Sequence, residues 1–141
     1  MSHDHGANPM RWNCAKQGCF NRVKRPKIEI FADCLPGRIA FSDVDAIVEI
    51  NGNLLLEWKD HQEISRGQRI LFERITRLCP ATVLVVEGDA ETMEVDSIRT
   101  VWKGNIEKPV PANVELLRWY IRDWADYALA NSAQCRARSA S

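Results

Sequence analysis

The sequence predicts an α/β fold, a mixed sheet flanked by helices, and three observations predict it. Short β-branched and aliphatic runs (Ala46–Ile50, Asn53–Trp58, Thr82–Val86, Ile98–Lys103) are interleaved with longer segments whose apolar residues recur at helical spacing. Asn51-Gly52 between the first two runs is a strong hairpin signal, because both turn positions ask for positive φ. A length of 141 residues with 45% hydrophobic content suits one compact domain with a packed core. That domain is expected over residues 11–131. Residues 1–10 and 132–141 read as disordered tails, and 11–25 as a basic, cysteine-containing loop.

The elements follow in order. Pro26 opens a helix over Lys27–Leu35, with Ile28, Phe31, Ala32 and Leu35 on one face and Pro36-Gly37 as the stop. Ile39-Ala40-Phe41 is a short strand, and with Ala46–Ile50 and Asn53–Trp58 it makes a three-strand meander. Leu54, Leu55 and Leu56 do not alternate with polar residues, as expected of a strand covered on both faces. Ser65 caps a helix through Leu78, with Ile70, Leu71, Ile75 and Leu78 as its apolar stripe and Pro80 beyond its end. Thr82–Val86 is a buried strand, Glu87–Glu91 an acidic loop, and Ile98–Lys103 a further strand. Asn113 caps a last helix to about Ala130, whose stripe is Val114, Leu117, Ile121, Trp124 and Ala128.

Composition excludes some classes of function. No apolar run approaches the roughly 20 residues of a membrane span. The N-terminal Met-Ser-His-Asp-His-Gly has no apolar signal core, so a cytoplasmic location and no membrane partner are expected. Net charge is zero, with 19 basic and 19 acidic groups, but the distribution is uneven. Residues 11–38 carry seven basic groups (Arg11, Lys16, Arg22, Lys24, Arg25, Lys27, Arg38) against Glu29 and Asp33. The first six of these are candidate contacts to a nucleic-acid backbone.

Five cysteines at irregular spacing do not form a disulfide framework. Cys14 and Cys19, four residues apart, have a zinc-compatible spacing, without a second Cys/His pair at the usual distance. Cys34 and Cys79 read as buried free thiols.

The chemistry concentrates at Asp43 to Lys59. Strand alternation puts Glu57 and Lys59 on one face and Trp58 on the other. A two-residue hairpin turn would set Asp45 opposite Trp58, with its carboxylate beside Glu57 and Lys59, and Asp43 two residues earlier on the same face. Gathered carboxylates repel until a cation sits between them. All-oxygen ligands suit Mg²⁺ or Mn²⁺, and a neighbouring Lys suits water activation or charge stabilisation at a phosphoryl group.

Asp45, then Glu57-x-Lys59 across a hairpin, between two helices, resembles the PD-(D/E)XK nuclease superfamily over residues 26–103. The run Ser65-Arg66-Gly67-Gln68 after the Lys further resembles the small phage- and virus-type replication-repair nucleases (VRR-NUC-like) of that group. The resemblance implies a restriction-endonuclease-like α-β-β-β-α-β core and a Mg²⁺- or Mn²⁺-dependent endonuclease acting on duplex or branched DNA. It implies metal ligation by Asp45 and Glu57, with the Trp58 backbone carbonyl as a third ligand, and catalytic roles for Lys59 and Gln68. Asp43 competes with Asp45, since the family's Pro-Asp pair is Val44-Asp45 here, and Glu29 is a further candidate carboxylate. Cutting both strands of a duplex would call for a homodimer. The cell implied is bacterial or phage-infected. Two rival readings are a catalytically inactive nucleic-acid-binding or protein-interaction module on the same fold, and a zinc-stabilised module built on Cys14 and Cys19.

Overall fold

In the computed structural model, residues 28–39, 41 and 44–139 are described, with residues 28, 29 and 132–139 described by backbone alone. The chain divides into two compact units, Met1–Phe41 and Ser42–Ser141. Within the first, Ile28–Cys34 winds as a 3₁₀ helix, where the spacing predicts an α-helix over Lys27–Leu35. The segment is seven residues long, and Pro36 biases Leu35 away from helical backbone, so a short, tight helix replaces a full one. The expected strand Ile39–Phe41 is absent at both described positions. Ile39 N–H instead closes a turn onto the Pro36 carbonyl at 3.2 Å, and Ile39 and Phe41 are both exposed, with no buried face to reward pairing.

The second unit is built on a six-stranded mixed sheet. Strand β1 (Ala46–Glu49) pairs antiparallel with β2 (Asn53–Lys59), so the meander reduces to a hairpin. Helix α1 (Arg66–Leu78) then crosses over to β3 (Ala81–Asp89), which lies parallel to β2. Strand β4 (Glu94–Trp102) returns antiparallel to β3, and two short strands, β5 (Asn105–Ile106) and β6 (Val110–Pro111), line its outer edge. The spatial order is β1-β2-β3-β4-β5, with β6 also on β4. Helix α2 (Val114–Ser139) closes the chain.

Period-two alternation sorts the apolar side chains into two cores. Leu55, Val83, Val85 and Val101 face α1 and pack with Phe72. Leu54, Leu84, Val86, Val95 and Ile98 face α2 and pack with Leu117, with Trp58 and Trp124 at the margin. This explains the unbroken run Val83–Val86, where every residue is buried against one helix or the other. At about 1.5–3 kcal/mol per buried large aliphatic side chain, these two faces dominate the layer order.

Local chemistry sets the element ends. Ser65 Oγ accepts from Gln68 N–H at 3.2 Å and caps α1, and Asn113 Oδ1 accepts from Leu116 N–H at 2.9 Å and caps α2, as the sequence predicts. Buried Thr76 donates to the Phe72 carbonyl (2.7 Å) and accepts from Gly104 N–H (3.0 Å), which ties the end of α1 to the β4–β5 turn. Helix α2 does not stop near Ala130 but runs to Ser139. The segment expected as a loose tail is Ala- and Arg-rich and contains neither Gly nor Pro, so nothing in it breaks a helix.

Strand β3 also runs on to Asp89, so of the stretch expected as an acidic loop, Glu87–Glu91, only Ala90 and Glu91 lie in the turn. A bulge between Glu87 and Gly88 absorbs the irregularity, and the carbonyl of the extra β4 residue, Asp96, accepts from Ala112 N–H at 2.9 Å. Gly88 is obligatory here: a Cβ would collide with the Glu94 carbonyl and come within 2.9 Å of the Trp58 ring. Cys34 and Cys79 are exposed free thiols, not buried ones. Cys79 is the C-cap of α1, its N–H donating to the Ile75 carbonyl at 3.0 Å and its side chain exposed.

Candidate active site

The β1–β2 connection determines where the acidic residues meet. Asn51 (φ 49°) and Gly52 (φ 140°) both take positive φ, as Asn-Gly demands, but Ile50 joins the turn and its N–H donates to the Gly52 carbonyl at 2.9 Å. The loop therefore has three residues, and the register is one residue off the two-residue expectation, with Ala46 opposite Leu56 and Glu49 opposite Asn53. Asp45, just before β1, faces the level of Glu57 rather than Trp58. The correction moves the end of the pairing to Ala46 opposite Leu56, with Asp45 one residue beyond it.

Just before β1 begins, the Asp45 carboxylate takes the place of a backbone partner in the ladder. Trp58 N–H donates to Asp45 Oδ2 at 2.6 Å. In an antiparallel strand a residue's N–H and C=O face the same neighbour, so the Trp58 carbonyl is directed to this same edge. The Trp58 ring lies on the other face, its Nε1–H donating to the Gly88 carbonyl at 3.0 Å. Burial and this bond lock the backbone at the point where Asp45 docks.

Glu57 lies on the α1 face, is only 8% exposed, and accepts from Gln68 Nε2 at 3.1 Å through Oε1. The Ser65 cap starts α1 so that Gln68, in its first turn, stands over β2. Lys59 shares the face of Glu57, is half-buried, and forms no ion pair among the described residues. An open hollow of about 710 Å³ adjoins it, lined by Trp58, Lys59, His61, Ser65 and Arg66 among others.

Asp45, Glu57, Trp58, Lys59 and Gln68 are thus brought to one end of β2. Asp43 lies outside the described residues, as do Arg11, Cys14, Lys16, Cys19, Arg22, Lys24, Arg25 and Lys27. Glu29 falls in the 3₁₀ helix of the first unit, with its side chain outside the described residues. Among the described residues no group of three or more His, Cys, Asp or Glu side chains is gathered for a metal ion. The donors present are two carboxylates and a backbone carbonyl, all oxygen. That set fits a Mg²⁺-type ion, which keeps several waters and needs only one or two protein carboxylates.

Sequence reasoning missed Glu87. It stands opposite Lys59 in the β2–β3 register. Its Oε2 accepts from Gln62 N–H (3.1 Å) and its Oε1 from Ser97 Oγ (3.1 Å), while Gln62 Nε2 donates to the Val85 carbonyl (3.0 Å). Glu87 and Gln62 therefore pin the segment that links Lys59 to α1. The available signal was a Gly inside a strand pattern, which marks a bulge rather than a loop.

Comparison of the chain with family models, curated proteins and solved structures found no match. No helix among the described residues is long and apolar enough to cross a membrane.

Proposed function

We propose that the chain is a divalent-metal-dependent endonuclease that hydrolyses DNA phosphodiester bonds on a PD-(D/E)XK-type core. The observation that supports this best is the docking of Asp45 on the Trp58 amide, which gathers Asp45, Glu57 and Lys59 at one strand end. The ββαβ order from β1 to β3, with Asp before the first strand and Glu-x-Lys on the second, fits the same reading.

Asp45 and Glu57 would hold Mg²⁺ or Mn²⁺, with the Trp58 carbonyl and Asp43 as further oxygen donors. Such an ion, when bound, polarises the scissile phosphate and lowers the pKa of a coordinated water. Gln68 orients the Glu57 carboxylate from above, so its position is set before metal or substrate arrives. Lys59 orients the attacking water and offsets the charge that develops on phosphorus-bound oxygen. The segment Arg11–Lys27 would follow the DNA backbone, giving a salt-sensitive affinity. A homodimer would serve the two strands of a duplex, in the cytoplasm of a bacterial or phage-infected cell.

The test is direct. The full-length chain, incubated with supercoiled plasmid and with branched DNA, is expected to nick at least one of them with Mg²⁺ or Mn²⁺ and neither in excess EDTA. DNA binding with no cutting in either metal would replace this reading with that of an inactive binding module.

A further inference from the structure

Arg99 carries a donor with no partner among the described residues. It lies on β4 opposite Val85, which in turn lies opposite Glu57, so the three form one row across the sheet. Its face is set by its neighbours at spacing two: Ser97 bonds Glu87, and Val101 packs in the α1-side core. Arg99 therefore shares the face of Glu57 and Lys59. Its Nε is buried with no hydrogen-bond partner, and among the described residues no carboxylate pairs with its guanidinium. A charged donor is the costliest kind to bury unmatched, and proteins of this size keep few of them.

We propose that Arg99 is a phosphate-binding residue, holding a backbone phosphodiester of the polynucleotide that occupies the Asp45–Glu57 site. The inference rests on the nuclease reading for its occupant. Two strand spacings separate Arg99 from Glu57, about 10 Å, the axial span of about three nucleotides at one phosphate per 3.4 Å of a strand. A guanidinium offers parallel N–H donors that match two phosphate oxygens, and an incoming diester supplies the acceptor that the described residues do not. The competing explanation is internal. Gln62 Oε1 is also buried without a donor, and Gln62 sits at Val85, so a small side-chain shift would join it to Arg99 and make the residue purely structural.

The experiment measures DNA affinity of the full-length chain over a salt series, without cleavage-supporting metal, for wild type, Arg99→Gln and Arg99→Lys. Arg99→Gln is expected to weaken binding about tenfold and to flatten the log K against log salt slope by about 0.9, the loss of one phosphate contact. Arg99→Lys is expected to keep the slope and lose about threefold in affinity, and it decides the matter if the Gln variant fails to fold. Unchanged affinity and slope in both, with only Tm lowered, would overturn the proposal in favour of the Gln62 pairing. A rise in Tm with inorganic phosphate alone that depends on Arg99 would overturn it in favour of a free-phosphate site. Cleavage by wild type with no Arg99 effect on binding removes this proposal alone, whereas an Arg99-dependent slope in a chain that never cuts removes the nuclease reading alone.

Discussion

Glu57→Gln is expected to abolish metal-dependent cleavage, by a factor of about a thousand or more, while Tm stays within a few degrees of the wild type. The side chain is 8% exposed and its Oε1 accepts from Gln68, an arrangement that a neutral, isosteric amide keeps. What disappears is one negative charge in a poorly solvated place. The shape of the side chain and its bond from Gln68 remain, so the fold is expected to keep most of its stability. The same charge is what would hold the ion, and several kcal/mol of transition-state stabilisation at about 1.36 kcal/mol per factor of ten gives the predicted loss. Single-turnover plasmid nicking and a thermal melt on the same preparation check it. Cleavage within tenfold of wild type would remove Glu57 from the mechanism.

Phe72→Ala is expected to show the reverse pattern. Phe72 is 1% exposed and is the anchor of α1 on Leu55, Val83, Val85 and Val101. Truncating a core Phe costs about 3–5 kcal/mol, from lost transfer energy and the cavity left behind. For a domain of this size that lowers Tm by about 10–20 °C. Gln68 sits one turn before Phe72, so cleavage measured well below the lowered Tm should survive within a few fold while α1 stays docked. A melt within a few degrees of wild type would mean that α1 is held by something other than this core.

The neighbourhood of Asp45, Glu57 and Lys59 was legible in the sequence, because Asn-Gly forces a hairpin and alternation decides which strand residues share a face. The register was not. Asn-Gly specifies the positive φ angles but not whether Ile50 belongs to the strand or the turn, and that single residue moves Asp45 from Trp58 to Glu57. Caps were legible at Ser65 and Asn113, where a short polar side chain precedes an apolar stripe. The role of Glu87 was hidden, since Glu-Gly-Asp has the composition of a loop. The close approach of the Glu94 carbonyl and the Trp58 ring shows why position 88 must be Gly. Strands β5 and β6, two residues each, are too short to carry any periodicity and exist because β4 offers an edge to pair with. The end of α2 was misjudged because a polar tail without Gly or Pro looks alike whether coiled or helical.

The most direct measurement is a Mn²⁺ titration of the metal-free, full-length chain followed by electron paramagnetic resonance, alongside Asp45→Asn and Glu57→Gln. The expected result is at least one Mn²⁺ bound per wild-type chain, with that binding lost or weakened more than tenfold in each variant while both remain folded. Wild type that leaves Mn²⁺ free at millimolar concentration, or variants that bind it as well as wild type, would contradict an ion held between Asp45 and Glu57.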